Sequence, residues 1–262
     1  MRITCLMENT SARPGCATEH GLSLLVEANG RHVLFDAGQT GALVDNAWAL
    51  GIDLGTVDTA VLSHGHYDHA NGFPAFFAAN ATAPLYVHAG YDLPHFHNDH
   101  DIGVAPEVAA SGRIVVAGNR ESLGDGFEIL SFSDCDPQDA IDDDGLSEDA
   151  GQGFVPERFL HEQYLLVREG GITLLLSGCS HRGITNIMRW TAGEGITHVI
   201  GGFHLMRTPP EGERVERIAR ELLEYPARYL TCHCTGQDQY LWLKELMGER
   251  LGYLAAGSLV EL

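Results

Sequence analysis

Three histidines and one aspartate crowd into six residues of this chain, at His64-Gly65-His66-Tyr67-Asp68-His69, directly behind Ser63 and the apolar, β-rich run Thr59-Ala60-Val61-Leu62. Extended backbone sends His64 and His66 to one side, and Asp68 with His69 follows as the chain turns toward a helix that Pro74 can start. Imidazole and carboxylate donors suit a borderline divalent cation, zinc first, with manganese or iron also accommodated. Chemistry of that kind is activation of water and polarisation of a carbonyl or phosphoryl oxygen.

More distant residues have the right types and places to join this cluster. His181, in Gly178-Cys179-Ser180-His181, comes just after Leu174-Leu175-Leu176, and His233, in Thr231-Cys232-His233-Cys234-Thr235-Gly236, just after Tyr229-Leu230. Both sit beyond a strand end and are expected to supply the remaining metal ligands. His204, behind the apolar run that ends at Gly201, is expected to point into the same cleft as ligand, proton donor or substrate contact. His161 is a weaker ligand candidate. Cys179, Cys232 and Cys234 read as packing thiols, since buried cysteine behaves as a small hydrophobe.

The elements that must position these groups repeat. Leu22 to Ala28, the turn Asn29-Gly30, and Arg31 to Phe35 form a predicted hairpin; Tyr164 to Arg168, Glu169-Gly170-Gly171, and Ile172 to Ser177 form another. From Asp36 to His64 is 28 positions, and from Ser177 to His204 is 27. Each half reads as a hairpin, a helix and another strand, which predicts an α/β fold of two mixed sheets face to face with helices outside. Amphipathic helices are expected at Gly41 to Leu50, Ile184 to Thr191, Glu211 to Glu224 and Gln237 to Met247. The stretch from Gly90 to Gly153 lacks a long period and reads as an insertion or lid on one domain spanning 1–262. It carries His95, His97 and His100, read as water-facing, and the acidic residues Asp134, Asp136, Asp139, Asp142, Asp143 and Asp144, whose spacing does not fit a calcium loop.

With 36 acidic against 16 basic residues in 262, the formal charge is -20, which opposes attraction to nucleic acid or anionic lipid. Six cysteines without a paired framework are expected to be reduced, which points to the cytoplasm. No apolar run near Met1 precedes a small-residue cleavage site, and none is long enough to span a bilayer, so neither export nor membrane insertion is expected.

The run His64-x-His66-x-Asp68-His69 resembles the signature of the metallo-β-lactamase superfamily. The resemblance implies an αββα four-layer sandwich with one or two metals at one edge. It places His64 and His66 on the first metal and Asp68 with His69 on the second. Asp68 would orient the attacking water or accept its proton, and Asp36, in Phe35-Asp36-Ala37-Gly38, would hold a ligating imidazole from behind. Where many members bridge the metals with an aspartate, this chain has Gly178-Cys179. That departure leaves open whether Cys179 is a ligand, whether Asp68 or a water bridges instead, or whether the site holds one tight and one weak metal. Glu8-Asn9-Thr10, Glu19-His20-Gly21, Gly178-Cys179-Ser180-His181, Gly201-Gly202-Phe203-His204-Leu205 and His233-Cys234-Thr235-Gly236 further resemble the dihydropterin ribofuranosylaminobenzene phosphate synthase subgroup. Two activities follow as expectations: hydrolysis of an ester, lactone or phosphoester, or transfer of a dihydropterin from its pyrophosphate with release of pyrophosphate. The small-molecule substrate is expected to be anionic, with Arg182 and Arg207 as candidate contacts. Oligomeric state is left open. Redox members carry Glu in place of the second histidine, whereas His66 stands here.

Overall fold

The fold is seen in a computed structural model that describes residues 1–141, 144–149, 151 and 153–262. Asp142 and Asp143 of the acidic run therefore lie outside the described residues. Side chains of period two build the sandwich. Along Ser23–Ala28, Leu24 and Val26 face one way and Leu25 the other. Leu24, Val26, Val33, Phe35 and Val61 meet Ile129, Leu165, Val167, Leu174, Leu176 and Ile200 in the layer between two sheets. Leu25, Leu34 and Ala60 instead pack under Leu43, Ala47, Phe73 and Phe76, while Leu166, Leu175 and Val199 pack under Ile187, Ile218, Leu222 and Leu243. The result is the expected αββα arrangement.

The first sheet runs, edge to edge, Leu259–Glu261, Arg2–Met7, Ser23–Ala28, Arg31–Phe35, Thr59–Val61, Leu85–His88 and Ile114–Ala117. The second runs Arg120–Gly124, Phe127–Ser131, Gln163–Glu169, Ile172–Leu176, His198–Gly201, Arg228–Thr231 and Leu251–Tyr253. In each, the first four strands are antiparallel and the last three join in parallel. The two hairpins share their register: Val26 opposes Val33, and Val167 opposes Leu174. Parallel pairing places the C-terminal ends of neighbouring strands on one rim of each sheet, and the loops leaving those ends carry the histidine motifs.

Helices fall close to their expected bounds, at Ala42–Ala49, Ile184–Trp190, Glu213–Glu224 and Gln237–Met247. The third starts two residues late because the Gly212 N–H closes a turn on the Pro209 carbonyl. Val215, Ile218, Ala219 and Leu222 form its buried stripe.

The stretch read as an insertion divides in two. Ile114–Ala117 extends the first sheet, while Arg120–Gly124 and Phe127–Ser131 extend the second. Their periodicity was hidden because two of the three are edge strands, with Val115 and Val116 turned to solvent. The remainder forms a small antiparallel sheet of Val155–Pro156, Leu146–Glu148, His95–His97 and His100–Asp101 beside the rim.

Candidate metal centre

The strand Thr59–Val61 ends just before the motif, and His66 then caps a short helix, Tyr67–Ala70. Gly65 is needed between them: a Cβ there would lie 2.0 Å from the Tyr91 carbonyl oxygen. Gly178 has a matching role, since its Cβ would meet Ser63 Oγ at 2.1 Å. The loop of the second half can thus press against the first motif, and residues far apart in sequence converge on one rim.

The rings of His64, His66 and His181 form a triangle with centroids 4.6 to 4.8 Å apart. Next to it, His69 Nε2 lies 3.2 Å from His233 Nε2, and Asp68 Oδ2 lies 3.2 Å from His233 Nε2 and 3.7 Å from His69 Nε2. Cys179 stands between the two groups. Its Sγ is 3.2 Å from His69 Nε2, and it falls within 4.8 Å of the ligand atoms both of His64 with His181 and of His69 with His233. Cys179, expected as a packing thiol, is buried with its sulfur facing both groups. Burial and the neighbouring Cys234 push its thiol well up, so the thiolate needs a cation beside it.

These imidazoles are held from behind. Asp36 Oδ2 accepts from His69 Nδ1 at 2.6 Å, and the same carboxylate accepts from Ser63 N at 2.7 Å and Ser63 Oγ at 2.8 Å. Ser63 Oγ is in turn 2.8 Å from His64 Nδ1. Asn9 Oδ1 holds His233 Nδ1 at 2.8 Å, and Glu157 holds His66 Nε2 at 3.0 and 3.2 Å. Each leaves the other ring nitrogen for the cleft, the arrangement by which outer groups fix a ligand's tautomer. His64 Nε2 and both nitrogens of His181 are buried with no hydrogen-bond partner among the described residues. A buried polar atom left unpaired costs about 1–3 kcal/mol. Burial and neighbouring imidazoles push His64 and His181 well below their ordinary range, so both are neutral lone-pair donors. Orphaned nitrogens, a thiol and a carboxylate fit divalent cations with nitrogen, sulfur and oxygen ligands.

Two buried glutamates brace the loops that bring in the distant histidines. Glu162 Oε1 accepts from His181 N at 2.7 Å, while its Oε2 accepts from Arg182 N at 3.1 Å and Tyr164 OH at 2.7 Å. Glu8 Oε1 accepts from His233 N at 2.6 Å and Tyr253 OH at 2.8 Å. Asp36, Ser180, His204 and His233 all adopt positive φ, between 49° and 61°. Backbone in that region is uncommon outside glycine and concentrates at functional sites.

His204 lines the cleft with His20, Tyr67, Met206, Arg207 and the metal-facing groups around a cavity of about 160 Å³. Burial would lower it, yet Asp144, whose Oδ2 is 3.2 Å from Nε2, and Cys234 raise it to about 10. Burial would raise Asp68, but His69, His233 and His20 hold it well below the usual carboxylate range.

Several expectations change. Arg182 does not face the cleft; it is buried, bonds the Phe132 and Cys135 carbonyls, and lies over the Trp190 ring. Arg207 does line the cleft, 2.8 Å from His97 Nε2. His161 spends both nitrogens behind the motif, accepting from Gly65 N at 2.9 Å and meeting Glu157 Oε1 at 2.8 Å. Cys232 packs between the sheets, but the chain turns into a 3-10 helix at His233–Thr235, which breaks the strand alternation and brings Cys234 to the cleft. His95, read as water-facing, is fully buried, whereas His100 is exposed. Asp139 pairs with Arg189 and Arg217. Sequence reading missed Glu157 and Glu162, and it gave Glu8 and Asn9 no role beyond their motif.

A family model described as the metallo-beta-lactamase superfamily matches residues 18–181. The chain belongs to that superfamily. The matched span holds the short motif, Cys179 and His181, whereas His204 and His233 lie beyond it. Among members of the metallo-beta-lactamase superfamily with solved structures, the chain is similar to Tm1679, described as a metal-dependent hydrolase, with a TM-score of 0.85 and 26% identity over 100% of this chain and 99% of that one. Two proteins of Methanocaldococcus jannaschii are also similar. The uncharacterized protein MJ0448 is 26% identical, covering 93% of this chain and 94% of its own length. The 7,8-dihydropterin-6-methyl-4-(beta-D-ribofuranosyl)-aminobenzene-5'-phosphate synthase is 27% identical, covering 93% and 90%. No helix among the described residues is long and apolar enough to cross a membrane.

Proposed function

We propose that the chain is a metal-dependent hydrolase of an anionic ester, lactone or phosphoester. The observation that carries this reading is the pair of donor groups on either side of Cys179: His64, His66 and His181 on one, and Asp68, His69 and His233 on the other. Each group would hold one divalent cation, zinc being the best match to the nitrogen and sulfur donors. Such cations supply Lewis acidity and a water nucleophile at neutral pH.

The chain's own residues contribute the rest. Protonated by its pairing with Asp144, His204 can donate a hydrogen bond to a substrate oxygen or a proton to a leaving group. Asp68 is too weak a base, in the field of three imidazoles, to take a proton efficiently; its part is to ligate and to orient. Arg207 at the cleft supplies the positive charge that an anionic substrate needs in a protein of charge -20. Metal analysis combined with a panel of esters, lactones and phosphoesters tests the reading. Protein that takes up two cations and cleaves nothing on the panel counts against hydrolysis.

The 27% identity to the synthase favours a second reading, group transfer from a pterin pyrophosphate. In it, the same cleft would bind the departing pyrophosphate. Incubation with the dihydropterin pyrophosphate and ribofuranosylaminobenzene phosphate would then release pyrophosphate, and a silent assay removes this alternative.

A further inference from the structure

Behind the cleft lies a second buried group, His66, His95, Glu157 and His161, whose ligand atoms sit within 4.8 Å of one another. Proton accounting decides what it holds. His161 Nδ1 accepts the Gly65 N–H, so its own proton is on Nε2, 2.8 Å from Glu157 Oε1. A cation at that Nε2 would need its lone pair and would force the proton onto Nδ1, against the Gly65 N–H. His66 Nε2 lies 3.0 Å from the same Oε1 and 3.2 Å from Oε2, and His95 Nδ1 lies 3.1 Å from Oε1. One carboxylate, 3% exposed, hydrogen-bonds two imidazoles, His66 and His161, and lies beside the third, His95. The cluster is built to keep protons in place.

The consequence falls on His66. With Nε2–H committed to Glu157, Nδ1 keeps its lone pair on a ring that lines the cleft beside His64 and His181. Glu157 follows Val155–Pro156 and His95 opens His95–His97, two strands of the small sheet joined through Leu146–Glu148. We propose that Glu157 is the positioning residue that fixes the tautomer of His66, and that the small sheet is thereby coupled to loading of the cation held by His64, His66 and His181. This inference rests on the two-cation reading of the cleft.

Two measurements test it. In cation-free, nitrogen-15 histidine-labelled wild-type protein, long-range proton–nitrogen correlation spectra should place the proton of His66 on Nε2; a proton on Nδ1 overturns the proposal. In chelator competition with zinc, Glu157→Gln should weaken one of two zinc ions by about 10–100-fold and leave the other unchanged. Wild-type affinity for both, or equal weakening of both, overturns the proposal. If Glu157→Gln does not fold, the spectrum of the wild type decides alone. Wild-type protein that binds no zinc refutes the two-cation reading instead, and that result is separate because the spectrum is recorded without metal.

Discussion

On the two-cation reading, replacing Asp36 by Asn should weaken both cations, because this one carboxylate sets two tautomers. Asp36 Oδ1 accepts from Ser63 N, and Oδ2 accepts from both Ser63 Oγ and His69 Nδ1. Asn can keep the first bond through its carbonyl oxygen, which turns its NH2 toward the other two partners. An NH2 donates to His69 Nδ1, moving the histidine's proton to Nε2, where it points at Cys179 and His233. It also donates to Ser63 Oγ, which then donates to His64 Nδ1 and puts a proton on His64 Nε2. Binding either cation must now reverse a tautomer and lose a satisfied hydrogen bond. The loss is of the size measured for outer-group changes at metal ligands, about 10–100-fold per cation or about 1.4–2.7 kcal/mol. Backbone strain is not the cause, since Asn tolerates the φ of 61° found at Asp36. Chelator competition gives the two affinities, and thermal unfolding of cation-free protein gives the fold's own stability, which should change little because the contacts of residue 36 stay paired and His64 Nε2 is a buried nitrogen without a partner in either tautomer. Undiminished zinc binding by Asp36→Asn would refute the tautomer argument, and loss of cation-free stability in step with affinity would assign Asp36 to folding.

Further outcomes are expected. Cobalt-loaded protein should show a thiolate-to-metal absorption band that Cys179→Ser abolishes while weakening both cations, and a band that survives refutes Cys179 as a donor. His204→Gln should retain both cations but lower turnover by about 10²–10⁴-fold, the range of general acid catalysis; metal analysis beside steady-state kinetics separates the two effects. Asp139 titrates below its ordinary 3.8: burial opposes this, but Thr185, Arg189 and Arg217 outweigh it. A depressed carboxyl stabilises the fold above the unfolded value, and that stability is lost as pH falls through the folded value. Asp139→Asn should therefore be less stable than wild type at neutral pH, with the difference closing below about pH 3.8 in denaturant titrations.

Much of this was legible because strands and ligands announce themselves locally. Three histidines and an aspartate behind Thr59–Val61 need no distant information, and the paired hairpins disclosed the two sheets through matched spacing. What stayed hidden depends on three-dimensional closure. Glu8 and Glu162 look like ordinary polar residues beside a strand until the loops of His233 and His181 fold over them. Glu157 lies between the stretch from Gly90 to Gly153 and the second hairpin, and its role needs the small sheet to bring it to His66. Arg182 looks suited to an anion because it adjoins His181, yet its guanidinium goes to the Phe132 and Cys135 carbonyls while His181 lines the cleft. Cys234 was misread for a similar reason: alternation holds only as far as Thr231, where the strand ends.

The buried glutamates have a calorimetric corollary. Because Glu8 and Glu162 already clasp the backbone at His233 and His181, little chain is left to order when an ion arrives. The heat-capacity change of uptake should accordingly be small. What remains is the Cys179 proton, expelled into solvent as the thiol becomes a thiolate, so the observed enthalpy should track the ionisation heat of whichever buffer receives it.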